Sequence, residues 1–365
     1  MNAALNSVIY PVSFLFVLSL IVIIHELGHF VAARLCGVKV EAFSFGFGRV
    51  LWQRTDKHGT AWQISLWPLG GYVKMLGDAD ASSATPDEEK IKELSQEDKK
   101  HAFYFQNVWK KLFIIVAGPA MNYVLAIVLL TGFFSIYGVL VVPPVVSSVM
   151  ENSAAQKAGI QVNDRFLRIN GNEISDFTAL RRFVQLDSTL DIVVERDGKE
   201  VALQAHLSHE TGGAKLGVVS NAKIGDFKKV SIAQAFVQAL KDTWDMTVDT
   251  TIILKRIITR QRSAEDMRGP LGIAEASGDA FREGFESFLL FIVQVSVGVG
   301  FVNLLPIPVL DGGNIIIYSI EAVIRRPLSE KAQTFAVWIG LIFLVGLMIL
   351  TSWNDISRIF QRMFG

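Results

Sequence analysis

The apolar run from Val8 to Ala33 constrains this chain more than any other stretch. It exceeds the ~20 residues that a helix needs to cross a bilayer. Inside it lies His25-Glu26-Leu27-Gly28-His29, which reads His-Glu-x-x-His. Polar groups at that depth are costly, ~2.5–3.5 kcal/mol for an ionised side chain even on the lower scale, so something must offset them. On a helix, residues four apart share one face. Two neutral imidazoles so placed can bind one Zn²⁺, with Glu26 beside the ion as general base. The alternative is a pair of core histidines bonded to neighbouring helices, a pairing with no need of Glu26.

Composition agrees with a membrane protein. The chain has 365 residues, 51% of them hydrophobic, in several long stretches almost free of charge. Lysine plus arginine and aspartate plus glutamate both number 35, a balance that gives no footprint for nucleic acid. Cys36 is the single cysteine and can form no internal disulfide. No lysine or arginine precedes Arg34, so the basic start of a cleavable signal peptide is missing, and the first run is read as a retained span.

This first helix is expected over about Val8–Leu35, with Gly37 as its stop. Arg34, Lys39, Arg49, Arg54, Lys57 and Lys74 follow, which puts that side in the cytoplasm and the N-terminus outside. Between Val40 and Met75, Phe43, Phe45 and Phe47 alternate with small residues, and Gly46 and Gly48 flank the last of them. A second strand-like run over Ala61–Leu66 follows the turn Asp56-Lys57-His58-Gly59. These strands read as a hairpin at the membrane edge, with Trp52, Trp62 and Trp67 at the interface; a cytoplasmic hairpin remote from the histidines is the other reading. Asp78–Lys100 is polar and charged, a surface helix or loop. Leu112–Val142 is the second span, where Ala117-Gly118-Pro119-Ala120 suits close helix packing and Asn122 reads as a structural amide.

From Val145 to Leu207 the character changes. Short strands alternate with turn phrases such as Asn170-Gly171 and Asp197-Gly198, and helices are expected over 152–159 and 176–184. The order resembles a PDZ domain of the bacterial protease type, present once, and such domains commonly take a peptide or chain end along a strand edge. Lys228–Arg262 is amphipathic and basic, which suits helices lying on a bilayer surface. Phe285–Leu305 is the third span, broken by Pro306-Ile307-Pro308-Val309-Leu310-Asp311-Gly312-Gly313 and resuming to about Arg325. Phe335–Thr351 is the fourth. Two histidines leave a catalytic zinc one protein ligand short, and Asp311, on the same cytoplasmic side, is the best third. A simple turn residue before two glycines is the alternative. The metzincin continuation is absent, because Ala32 and Leu35 stand where it needs Gly and His.

Taken together, His25-Glu26-x-x-His29, Phe45-Gly46-Phe47-Gly48, Pro68 to Met75, Ala117-Gly118-Pro119, Gly269-Pro270-Leu271-Gly272 and Asn303-x-x-Pro306-x-Pro308-x-Leu310-Asp311-Gly312 resemble the site-2 protease family of intramembrane zinc metalloproteases, nearest the bacterial regulator-of-sigma-E group. The resemblance implies an α-helical polytopic membrane protein with four transmembrane helices, a membrane-associated β-hairpin region and an inserted α/β PDZ domain. Its parts would be residues 1–37, 38–110 and 111–142, a periplasmic PDZ domain at 143–222, surface helices at 223–284, the third span at 285–325 and the fourth at 326–365. It implies Zn²⁺ on His25, His29 and Asp311, Glu26 as base, and Asn303 holding an unwound substrate, for which a packing amide is the alternative. Gly46 and Gly48 would belong to a strand that accepts that substrate. Expected partners are single-span membrane proteins, such as an anti-sigma factor or a remnant signal peptide, a peptide or chain end at the PDZ domain, and the lipid bilayer. The expected location is the bacterial inner membrane, with both termini outside. Two features depart from the group: one PDZ domain where some relatives have two, and Asn314 where the group usually has His. A zinc-dependent sensor without turnover, or a PDZ scaffold on membrane anchors, are the alternatives; the first leaves Glu26 without a task and the second leaves the whole polar cluster without one.

Overall fold

The computed structural model describes residues 3–78, 88–174, 176–177, 180, 183–184, 187–207, 216–220, 227–259, 267–326 and 328–364. Among these, four helical segments are long and apolar enough to cross a membrane: Val8–Leu35, Val108–Tyr137, Phe285–Leu304 and Lys331–Gln361. A β-rich region lies between the second and third. The chain divides into two compact units, one formed by Met1–Leu130, Ala239–Thr247 and Ser263–Gly365, the other by Thr131–Gln238 and Val248–Arg262.

In the first unit, helix α1 (Ala3–Leu35) is followed by strands β1 (Val40–Thr55) and β2 (Ala61–Met75). Both strands are longer than the alternation suggested, because the hairpin bends double. Val40–Phe45 pairs with Gly71–Met75 on one side and, over Ala42–Phe45, with Ala61–Ile64 on the other, while Val50–Thr55 takes the far side of Ala61–Ser65. The bend needs Gly46 (φ 88°) and Gly48 (φ 86°), since a side chain at Gly46 would come within 2.7 Å of the Trp67 carbonyl oxygen. The turn at Asp56 is tied to the end of α1: one carboxylate oxygen accepts from the His58 and Thr60 N–H groups, the other from Arg34 at 2.9 Å. Two short helices, α2 (Glu88–Glu93) and α3 (Gln96–His101), occupy the polar stretch, and a single 3₁₀ turn (Phe103–Phe105) leads into α4 (Val108–Tyr137).

The second unit begins within α4, which ends at Tyr137 rather than near Val142. Gly138 (φ 90°) turns the chain so that β3 (Val139–Leu140) can pair with β10 (Phe227–Lys228). The intervening strands are β4 (Val146–Val149), β5 (Arg165–Ile169), β6 (Asn172–Glu173), β7 (Thr189–Arg196), β8 (Lys199–His206) and β9 (Val218–Ser220), with a short helix α5 (Ala154–Lys157) capped by the Ser153 hydroxyl. Strands order as β6-β5-β7-β8 in one antiparallel sheet, and β4 pairs with β9. Both predicted glycine turns are present, with Asn170-Gly171 and Asp197-Gly198 at positive φ throughout, as tight hairpins of the primed type require. Phe166, Ile169, Leu190, Ile192 and Val194 fill the core. Of the helix expected over 176–184, residues 180, 183 and 184 are helical, while 178–179 and 181–182 lie outside the described residues.

Among the described residues, four further helices follow α6 (Ile232–Ile258), whose start carries a Ser231/Gln234 capping box. They are α7 (Pro270–Glu283), α8 (Phe285–Leu304) and α9 (Asp311–Ile324), followed by the long α10 (Glu330–Phe364). Helix α7 lies on α1, with Ser13 and Ser277 hydroxyls 3.0 Å apart and Gly278 against the Tyr10 ring. Its N-terminus lacks a capping side chain of its own. Asp355 from α10 supplies one, accepting the Gly269 and Gly272 N–H groups at 3.1 and 2.8 Å while Arg358 donates to the same carboxylate. The phrase Gly269-Pro270-Leu271-Gly272 is thus a carboxylate-held helix start.

In the second unit Asp164 is almost wholly buried beneath Arg196, which donates to both carboxylate oxygens at 2.8 and 2.7 Å. Burial alone would push the Asp164 carboxyl up. The Arg196 hydrogen bonds and the Gln161 N–H outweigh it and hold the group below the ordinary carboxylate range. A depressed folded value stabilises this unit above the unfolded value near ~3.9, and that contribution is lost as pH falls through the folded one. Asp164→Asn is therefore expected to lower amide-exchange protection in β5 and β7 at pH 7, with the gap to the parent closing toward about pH 3. An equal loss at both pH values would show that the ion pair is not the cause.

Candidate metal centre

Helix α1 is continuous through His25 and His29, so the two rings stack one turn apart. They are 8% and 9% exposed and meet edge to face, centroids 4.8 Å apart. Their Nε2 atoms converge to 3.1 Å. The third group arrives from the break after α8. Leu305 leaves the helical conformation, Pro306 and Pro308 prevent its resumption, and α9 begins at Asp311. Gly312 and Gly313 let the first turn of α9 lie directly on the 304–308 backbone, where any Cβ would collide with Leu304, Ile307 and Pro308 main-chain atoms. Val309 is forced to φ 86°, a conformation that β-branched residues avoid and that costs on the order of 1–3 kcal/mol.

This geometry brings Asp311 Oδ2 within 3.1 Å of His25 Nε2 and Asp311 Oδ1 within 3.5 Å of His29 Nε2. An ion held tetrahedrally by nitrogen and oxygen at ~2.0–2.1 Å has ligand atoms roughly 3.3 Å from one another. The Nε2–Nε2 separation and the His25 Nε2–Asp311 Oδ2 separation, both 3.1 Å, are close to that edge. Asp311 Oδ2 is also buried without a hydrogen-bond partner, and a cation would satisfy it. His29 Nδ1 lies 2.9 Å from the Ile114 carbonyl oxygen, which can only accept; the proton is therefore on Nδ1 and Nε2 is left with its lone pair. Donor set, spacing and protonation fit zinc.

A cavity of ≈ 430 Å³ opens onto these three residues and is lined also by Glu26, Phe47, Gly71, Asn303, Val309 and Asn314. Glu26 sits beside the histidines, its carboxylate hydrogen-bonded by the Val73 main chain of β2 and its methylene packed where Gly71 has no side chain. Strand β2 thus borders the cavity beside the histidine pair. Of the residues singled out by sequence, His25, Glu26, His29, Asp311 and Asn303 meet at one cavity. Gly46 and Gly48 lie in β1 on either side of Phe47, whose side chain reaches the cavity when theirs do not exist to do so.

Sequence reasoning missed the part played by Gly118. A Cβ there would strike the His29 ring and come within 2.9 Å of His25 Nε2. Gly28 meets the Ala117 carbonyl in the same way, so α1 and α4 touch backbone to backbone at the histidines. The pairing of a glycine in each helix was the available signal. Lys111 was missed as well: its ammonium lies among the Phe103, Tyr104 and Tyr318 rings, 6.0, 5.1 and 4.9 Å from their centres, and so links α4 to the helix that begins at Asp311.

The family model described as Peptidase family M50 matches residues 13–347. A presumed zinc metalloprotease of Mesorhizobium japonicum is 39% identical over 94% of this chain and 98% of its own length. Another from Rhizobium meliloti is 37% identical over 99% of this chain and all of its own. The metalloprotease MmpA of Caulobacter vibrioides is 35% identical over 95% of each.

Gly118→Ala is expected to push the imidazoles apart and lower the zinc content of the purified protein at least tenfold, an effect of the size seen when metal-site support is lost. Elemental analysis of protein that still folds by thermal midpoint is the check. Full zinc occupancy in that variant would mean that the helix contact does not shape the site.

Proposed function

The chain belongs to Peptidase family M50 and is a zinc metalloprotease, and from this we propose that it hydrolyses a peptide bond within the transmembrane segment of single-span membrane proteins. The observation that carries the reading is where the donors stand. His25 and His29 lie within the apolar helix Val8–Leu35, and Asp311 begins the helix just past the break that ends Phe285–Leu304. A substrate reaching them would come from the bilayer plane.

In this reading His25, His29 and Asp311 hold the ion. Bound zinc supplies an electrophile for the scissile carbonyl and acidifies water toward a pKa of ~7. Glu26, fixed by the Val73 main chain, takes the proton from the attacking water and passes it to the leaving amine. Water and the peptide bond become one carboxyl and one amino end. A helical substrate hides its carbonyls and must unwind first. The bent hairpin, with its Gly46–Gly48 kink and Phe47 at the cavity, suits edge pairing with the extended chain, and Asn303, which lines the same cavity, suits a side-chain amide holding substrate backbone.

The second unit, with its β6-β5-β7-β8 sheet, short capped helix and primed hairpins, is read as one PDZ domain, which takes a peptide or chain end. Positive residues after α1 support a bacterial inner membrane location with the zinc centre toward the cytoplasm, the PDZ domain in the periplasm and both termini outside. Substrates of the class of anti-sigma factors or remnant signal peptides fit this layout.

Two measurements test the reading. Glu26→Gln in detergent or proteoliposomes should keep stoichiometric zinc and lose cleavage of a model single-span substrate by at least 10²-fold, the low end for general base loss. Cleavage at the parent rate would exclude Glu26 as base, and cleavage only of soluble peptides would exclude membrane segments as substrates. Gly48→Val should lower cleavage several-fold with zinc unchanged, since it adds bulk at φ 86° against Trp67. Unaltered cleavage would remove the hairpin from substrate handling.

A further inference from the structure

The two histidines differ in what meets their inner nitrogens. Helix α4 presents Ile114, Gly118 and Asn122 at intervals of four, so all three share one face. The carbonyl oxygen of Ile114 is 2.9 Å from His29 Nδ1, Gly118 leaves room at the Nε2 atoms, and the Asn122 side chain is 3.3 Å from His25 Nδ1. Carbonyls tilt toward a helix C-terminus and side chains toward its N-terminus, which lets positions eight apart serve two rings only four apart.

A carbonyl can only accept, but a carboxamide can do either. Asn122 is fully buried, its Nδ2 faces His25 and, among the described residues, its Oδ1 has no hydrogen-bond partner. With Nδ2–H donating, His25 would carry its proton on Nε2, the atom aimed at Asp311, and could not bind an ion there. Half a turn of the carboxamide, a soft torsion, exchanges two nearly isosteric groups. Oδ1 then accepts from His25 Nδ1–H, the orphaned oxygen is satisfied and Nε2 is free.

We propose that Asn122 is a positioning residue that selects the metal-binding form of His25 by presenting its side-chain oxygen to Nδ1–H. This rests on the reading of His25, His29 and Asp311 as zinc ligands. It assigns to α4 the whole outer support of the histidine pair, with main chain serving His29 and side chain serving His25. It also gives a reason for a fully buried amide in an apolar helix, beyond packing: the main-chain oxygen of Asn122 is already engaged by the Ser296 hydroxyl at 2.8 Å, so the side chain is not needed to join α4 to α8.

The test is zinc affinity of the full-length protein in detergent, measured by competition with a chelating indicator at fixed pH. Asn122→Leu should bind zinc about 10–100-fold more weakly, the range for losing such outer partners. Asn122→Asp, which keeps an acceptor in place and has no N–H, should bind within a few-fold of the parent or tighter. Parent-like affinity in Asn122→Leu overturns the proposal. So does a tenfold loss in Asn122→Asp, which decides the matter alone if the leucine variant does not fold. A parent protein that binds no zinc, or a His25→Ala variant that binds as well as the parent, would instead sink the metal centre itself, a result distinguishable from either.

Discussion

Everything in the first unit depends on three polar side chains being held a few ångströms apart in surroundings that disfavour them. A buried carboxylate without a partner costs several kcal/mol. Asp311 meets two imidazole nitrogens, and its buried Oδ2 has no hydrogen-bond partner among the described residues. The three groups are placed so that they could hold a cation between them. Their cost is carried by the elements around them: two helices with glycines at their contact, a strained Val309, and a helix start pressed onto its own preceding loop.

Much of this was legible in the sequence because the chemistry is encoded locally. His25 and His29 need only a helix to share a face, with Glu26 next in the chain, and the apolar run supplies one. The break before Asp311 is equally readable, since two prolines and two glycines cannot continue a span. Asn170-Gly171 and Asp197-Gly198 announce hairpins for the same reason: few residues accept positive φ at both central positions. What these signals share is short range.

The illegible parts are those in which a residue's meaning comes from a distant one. Phe43 to Val50 suggested one hairpin, but the strand pairs on both flanks because Gly46 and Gly48 let it turn on itself, a fact that depends on Trp67. Asp355 reads as one acidic residue near the end of an apolar helix, and nothing nearby says that it caps a helix starting at Gly269. Gly118 and Asn122 looked like packing residues because their partners lie on another span. Only the register between α1 and α4 converts them into parts of the site.

That register also explains why the centre is divided as it is between rigid and broken segments. The histidines and Glu26 stand on an unbroken helix, whose rise fixes their mutual geometry whatever surrounds it. Asp311 is supplied differently, from the first turn of a helix that begins after a break. Ending α8 at Leu304 and restarting at Asp311 frees one carboxylate to point at two imidazoles, and aims a new helix N-terminus, favourable for negative charge, at the same spot. The exposed main chain this creates is covered by close packing instead of water: Gly313 lies on Ile307 and Pro308, and Gly340 of α10 lies on the Pro308 carbonyl. The glycines of α9 and α10 are therefore as much a condition of the place of Asp311 as the break itself, since a methyl group at either would lift the break away from α1.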